Sequence, residues 1–221
     1  MKLGCVESVN LAVVSTAAWT GRKKSSGMDK RPTAGPTMFT ADGVVGDTVV
    51  DRAVHGAWYQ AAYAFQLEDL RYWSERLGKE LVPGNAGENL TLSGFDASDA
   101  LVGERWRIGG AVLRVTGPRS PCVVFAGFWD HPKLVKEFTA VGRPGPYLAV
   151  EQAGEISAGD TVELLDRPEH DVSVATLFAF LFGNREVTDR IPPVLEHLPQ
   201  PWAEHTEKLL AGAQRGTVHQ G

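Results

Sequence analysis

The spacing of apolar positions changes several times along this chain, and each change marks an element. From Gly4 to Ser15, valines among short polar residues predict a first strand. Residues 19–37, WTGRKKSSGMDKRPTAGPT, replace that pattern with Lys, Arg, Gly, Ser and Pro and read as a loop. In residues 43–57, GVVGDTVVDRAVHGA, the acids Asp47 and Asp51 and the base His55 recur every four residues within a turn-rich frame, an exposed helical face being the alternative. Tyr63, Leu67, Leu70, Trp73 and Leu77 step by three or four and predict an amphipathic helix that stops at Gly78.

Short runs separated by glycine follow in 83–116, where Gly109-Gly110 between two alternating stretches signals a hairpin. HPKLVKEFTAVG predicts a short helix, and PYLAVEQ and DTVELLD predict two closing strands joined by a turn at 154–159. Many short strands with few long helices favour a closed or nearly closed barrel over a doubly wound sheet. Helical spacing returns with the Val174, Leu177, Phe178 and Leu181 stripe, then Ile191–Leu198 behind two prolines, then Trp202–Leu210. The expected fold is therefore mainly β with added α: a barrel over 1–168, a three-helix unit over 169–211 and a flexible tail over 212–221.

Composition narrows the function classes. A chain of 221 residues with 43% hydrophobic content supports a substantial core, and a net charge of -5 without a basic stripe argues against a nucleic-acid polymer as partner. The N-terminus carries no secretory pattern and no run reaches membrane-span length, so the expectation is a cytoplasmic protein without membrane association. With Cys5 and Cys122 far apart, both are expected as free thiols.

Cys122 stands out within GPRSPCVVFAG. Pro118 and Pro121 stiffen its loop and remove two amide donors, and Arg119 beside it could favour a thiolate, the form that binds soft metals or attacks electrophiles. A small buried hydrophobe is the plain alternative. Lys24, Lys30 and Arg31 could neutralise a phosphate or simply be solvated; His55 could donate a proton or bond across its turn; Gly84, Gly87 and Asn89 could let a ligand approach or form a turn. HExxH, CxxC, Walker and Rossmann patterns do not occur.

Taken in order, GVVGDTVVDRAVHGA, PGNAGENLTLSG, VGERWRIG, PRSPC, GRPGPYLAV and ISAGDTVEL resemble the MOSC domain, the molybdenum cofactor sulfurase C-terminal type. More closely, the chain resembles the bacterial YiiM-like proteins, which add a small C-terminal three-helix unit. The resemblance spans about residues 4–210. It implies a β-barrel core, binding of the molybdenum cofactor, and Cys122 as the thiolate ligand of molybdenum. It further implies reduction of N-hydroxylated compounds, such as hydroxylaminopurine-type bases, to amines; because the sequence shows no flavin or iron-sulfur motif, the electrons are expected from a separate reductase chain. In that reading Arg119, Arg31 and Lys30 position cofactor or substrate, Asn89 and Ser120 supply hydrogen bonds, and His55 is a proton source or a supporting residue. The sequence departs from the family where Ala57 follows His55-Gly56, where Ala86 precedes Gly87-Glu88-Asn89, and where Ala149 stands in place of an arginine. The competing readings are a cofactor or sulfur carrier using a Cys122 persulfide, and a metal-independent Cys122–His55 hydrolase. Lys30 as a pyridoxal phosphate Schiff base lacks supporting context.

Overall fold

The computed structural model describes residues 1–218, apart from the side chains of 53, 54 and 214–218. Its centre is a closed barrel of seven strands. The strands β1 (Lys2–Ala12), β5 (Ala62–Gln66), β6 (Leu90–Ser93), β7 (Arg105–Ile108), β8 (Ala111–Pro118), β9 (Pro146–Gln152) and β11 (Thr161–Asp166) run round it in the order β11-β7-β8-β9-β5-β6-β1. β1 also pairs with β11, Gly4 opposite Val162, and so closes the ring. All neighbours are antiparallel except β5 and β6, which align Ala64 with Leu90. The short β2 (Lys30–Pro32) adds to the end of β1, and β3 (Thr37–Thr40), β4 (Gly43–Val44) and β10 (Gly154–Ile156) form a separate small sheet.

Alternation explains the barrel wall. In β7, Trp106 and Ile108 are buried while Arg107 is exposed, the period-two pattern of a strand with one face in water. β5 and most of β8 are buried on both faces, because helices cover their outer sides. The expected hairpin forms at Gly109, whose positive φ of 53° permits the tight return from Ile108 to Ala111.

Two hydrophobic clusters result. One fills the barrel with Val6, Leu90, Trp106, Leu113 and Leu148 and extends to the C-terminal helices through Leu177, Val194 and Leu210. The other lies beside the barrel, where α2 (Leu67–Leu77), α3 (Val123–Phe128) and α4 (Leu134–Val141) gather Phe65, Trp73, Phe125, Trp129 and Phe138.

Several local expectations change. The stripe beginning at Tyr63 is not all helix: Tyr63 lies in β5, paired with Tyr147 of β9, and the helix begins at Leu67. Sheet pairing overrides a spacing that happened to fit 3.6 residues per turn. Residues 19–37 contain a 3-10 stretch at Ala18–Lys23 and strand β2. The segment after Cys122, read as loop, is α3, and residues 154–156 form a strand against β3 rather than a turn. Asp47, Asp51 and His55 share no helical face, since α1 covers only Arg52–His55. In the C-terminal unit, α5 (Val174–Leu181) starts at Ser173, whose hydroxyl accepts the Thr176 N–H at 3.1 Å. Pro192–His197 is a 3-10 helix, and α6 runs from Gln200 to Val218, past the Ala211 at which the sequence reading ends it. The last tail residues, 219–221, lie outside the described residues. Among the described residues no helix is long and apolar enough to cross a membrane.

Candidate functional site

Arg119 ends the β8 segment and is only 5% exposed. Its guanidinium lies over the rings of Phe125, 4.0 Å from the centroid, and Tyr63, at 5.5 Å. Nη2 makes a 3.7 Å contact to the Met28 sulfur, while Nη1 is buried without a hydrogen-bond partner. Among the described residues, no carboxylate pairs with it. Cation–π contacts offset part of the cost of burying this charge, but an arginine with an open donor and no anion is an incomplete arrangement.

Cys122 follows three residues later at the start of α3. It is partly buried, it is a free thiol, and its carbonyl accepts the Ala126 N–H at 3.0 Å. The thiol packs into the same cluster as Met28, Tyr63, Phe125 and Tyr147. Burial raises the Tyr147 phenol above its ordinary range and Cys122 adds to it, while the positive charge of Arg119 and a side-chain hydrogen-bonding interaction with it oppose the rise, so both residues act on the same hydroxyl. Cys122 is itself only partly buried, and Val123, next in sequence, is 80% exposed.

His55 stands open to solvent at the edge of this group. Desolvation by the surrounding protein, then the charge of Arg119, holds its imidazole below the ordinary histidine range, with Asp51 acting in the opposite direction. Asp51 is itself bound by Lys23 at 2.6 Å.

Lys30 and Asn89 form a second centre. Lys30, on β2 and buried, pairs with Asp47, which also accepts the Asn89 side-chain amide and the Ala12 N–H, each at 2.8 Å. Burial pulls the Lys30 ammonium below its usual value against the attraction of Asp47 and Glu88. The Asn89 amide is committed at both ends: its oxygen accepts the Tyr63 N–H at 3.3 Å, and its nitrogen also donates to the Asn10 carbonyl at 3.3 Å. This centre joins β1, β2 and β6 and carries the Met28 segment past Arg119. Gly84 has φ +93° and a side chain there would collide with the Lys30 carbonyl, so the glycine loop packs on β2.

The structure thus brings together Arg119, Cys122 and, at the edge, His55; it sets Lys30 and Asn89 around Asp47. Arg31 points outward and pairs with Asp29 at 2.8 Å, and Ser120 is exposed on the loop ahead of Cys122. Ala86 and Ala149 are buried, at 0% and 2% exposure, Ala149 opposite Arg114 on β8. Sequence reasoning did not single out Tyr63, Tyr147, Met28 or Trp202. Trp202 of α6 packs on Tyr59 at 4.9 Å and near Tyr147 at 6.1 Å, extending the aromatic wall from the C-terminal unit. The tyrosine in PGPYLAV was visible only as a strand residue, because nothing local shows that β9 passes beside β8 at the arginine.

The sequence profile of the MOSC domain matches residues 51–163, a span that holds Arg119 and Cys122. The chain belongs to the MOSC domain family. Within that family it is similar to the uncharacterized protein YflK of Bacillus subtilis (strain 168), with 32% identity over 169 residues and 76% of each chain covered. It is also similar to a protein named Reductase from Gibberella moniliformis, 29% identical over 152 residues that make up 67% of this chain and 27% of that one. Among solved structures, YiiM from Geobacillus stearothermophilus superposes with a TM-score of 0.77 at 27% identity, covering 93% of this chain and 98% of that one. The MOSC barrel and the C-terminal unit are therefore shared with YiiM as one arrangement.

Proposed function

We propose that this MOSC protein is an oxidoreductase that binds the molybdenum cofactor at Arg119 and Cys122 and reduces N-hydroxylated compounds to amines. The observation that carries the reading is the buried Arg119 guanidinium with an unpaired Nη1, in the same cluster as the part-exposed Cys122 thiol. An anion supplied from outside completes the arginine, and a soft metal suits the thiolate. Among the described residues no three His, Cys, Asp or Glu come together for a metal, so a metal here arrives with ligands of its own, as a pterin dithiolene provides.

When bound, the cofactor supplies two-electron chemistry at molybdenum. The protein's residues supply the rest. Cys122 would present its sulfur to the metal and Arg119 would neutralise the anionic pterin arm, while the exposed Ser120 hydroxyl and Arg31 would offer further donors. Lys30 and Asn89 act through Asp47 to hold the segment that carries Met28. His55, whose imidazole desolvation and the Arg119 charge hold below the ordinary histidine range, can relay a proton: one ring nitrogen takes it from solvent, and the imidazolium so formed gives it to the substrate nitrogen. The overall reaction breaks the N–O bond, consumes two electrons and two protons, and releases an amine and water.

The substrates proposed are hydroxylaminopurine-type bases and hydroxylamines. The electrons come from a separate reductase chain, a reading supported by the relative named Reductase, in which the matched part is about a quarter of the length. The reading is tested by assaying the cofactor-loaded protein with an electron-donating reductase and an N-hydroxylated base. We expect turnover to fall by about 10²-fold or more in C122A, as for loss of a metal ligand or its support. Full activity of C122A would overturn the assignment.

A further inference from the structure

One short loop, between α4 and β9, touches both Arg119 and Tyr63, over whose ring the Arg119 guanidinium lies. The Gly145 carbonyl accepts the backbone N–H of Arg119 at 3.2 Å, and the Pro144 carbonyl accepts the Tyr63 hydroxyl at 2.7 Å. The preceding residue, Arg143, reaches two carboxylates from different parts of the chain. Its Nη2 donates to Asp96 Oδ2 at 3.2 Å, and its Nε lies 3.0 Å from Asp69 Oδ1, an ion contact too poorly aligned for a hydrogen bond. Asp69 belongs to α2 and its side chain is 2% exposed, whereas the Arg143 side chain is 40% exposed.

The neighbouring contacts tighten the same loop. Ser98 Oγ accepts the Gly145 N–H at 3.1 Å, and the Ser98 N–H in turn donates to Asp96 Oδ1 at 2.9 Å. Gly145 has φ +66°, and a Cβ there would strike the Ala64 carbonyl of β5, so the loop lies flat against the barrel wall. The Arg143 side chain is half-buried and belongs to neither hydrophobic cluster, so its contacts are chiefly with the two carboxylates. Its planar fork instead lets one side chain engage two carboxylates, which the single ammonium of a lysine does less well.

We propose that Arg143 is a positioning residue for the anion site: by clamping Asp69 and Asp96 it fixes the Pro144 and Gly145 carbonyls, and through them the direction of the open Arg119 donor. The proposal rests on the reading of Arg119 as an anion site. Burial raises the Asp69 carboxyl to about 7 even with Arg143 opposing, so removing the arginine leaves a costly buried acid behind. That cost must be separated from the positioning effect.

The test compares full-length wild type, R119M, R143M, R143K and the double variant R143M/D69N, measuring inorganic phosphate binding to each by calorimetry, following the Arg119 side-chain nitrogen resonance in the variants that keep it, and recording thermal midpoints. R143M is expected to lose stability, and D69N in the same chain to restore most of it by replacing the buried acid with a neutral amide. Phosphate affinity is expected to stay about tenfold or more below wild type in the double variant, the usual scale for loss of an outer support. R143K, which keeps a charge beside Asp69 without the fork, is expected to show weakened binding at near wild-type stability, and serves if the double variant does not recover. Wild-type phosphate affinity in the double variant or in R143K would overturn the positioning role alone. Equal binding by wild type and R119M would overturn the anion-site reading and this proposal with it.

Discussion

Glu88 accepts hydrogen bonds from the Gly84 N–H at 2.7 Å, the Ala86 N–H at 2.9 Å and the Thr91 hydroxyl at 2.7 Å while being completely buried. Burial lifts its carboxyl to about 7 against those three bonds. Replacing it with alanine leaves buried donors unsatisfied, so E88A is expected to lose about 3 kcal/mol or more in urea unfolding. Asp69 is raised to about 7 for the same reason, burial. A carboxyl raised in the folded state contributes stability while protonated and loses that contribution as pH rises through the folded value. Wild type is therefore expected to lose stability relative to D69N between about pH 4 and about pH 7; a constant difference in urea midpoints over that window would contradict this. Asp47 behaves oppositely: burial pushes it up, but the Lys30 charge and the bonds from Lys30, Asn89 and Ala12 outweigh that and hold it low, so its contribution is lost as pH falls. At this scale the sequence was informative about Cys122 and Arg119, since two prolines and an arginine beside one cysteine are local facts. Glu88 and Arg143 were not legible as structural groups, because their partners lie on chain segments that only the fold brings near.

The elements show the same division. The Gly109-Gly110 hairpin and the closing strands β9 and β11 could be read directly, since turn chemistry and period-two alternation are local. Tyr63 was drawn into a helix because its spacing from Leu67 fits one turn, and only pairing with β6 and β9 makes it a strand. Ile191–Leu198 looked helical behind its prolines but settles as a 3-10 helix between α5 and α6. The docking of α6 depends on Trp202, which lies against Gly117, where a Cβ would sit 2.7 Å from its ring. W202A is expected to cost about 2–4 kcal/mol, somewhat below a fully buried tryptophan. It should raise hydrogen exchange in α6 more than in β7 and β8. Equal exchange in all three elements would show that Trp202 does not anchor the unit.

For the whole molecule, closure of the barrel by β1 against β11 removes free sheet edges around the ring and sets Arg119 and Cys122 at the end of β8, against the lateral aromatic cluster. The barrel was foreseeable from many short strands, but the position of the C-terminal unit was not, because nothing in a helical stripe names the surface it will cover. On the proposed reading, the buried Arg119 guanidinium with its unpaired Nη1 is the complement of a small anionic ligand. The most direct test of the account is the molybdenum and pterin content of the protein purified from a host that makes the cofactor, beside C122A prepared in the same way. The account predicts near-stoichiometric molybdenum with pterin in the wild type and loss of the metal in C122A. Absence of both from the wild type, or equal molybdenum in the two proteins, would contradict it.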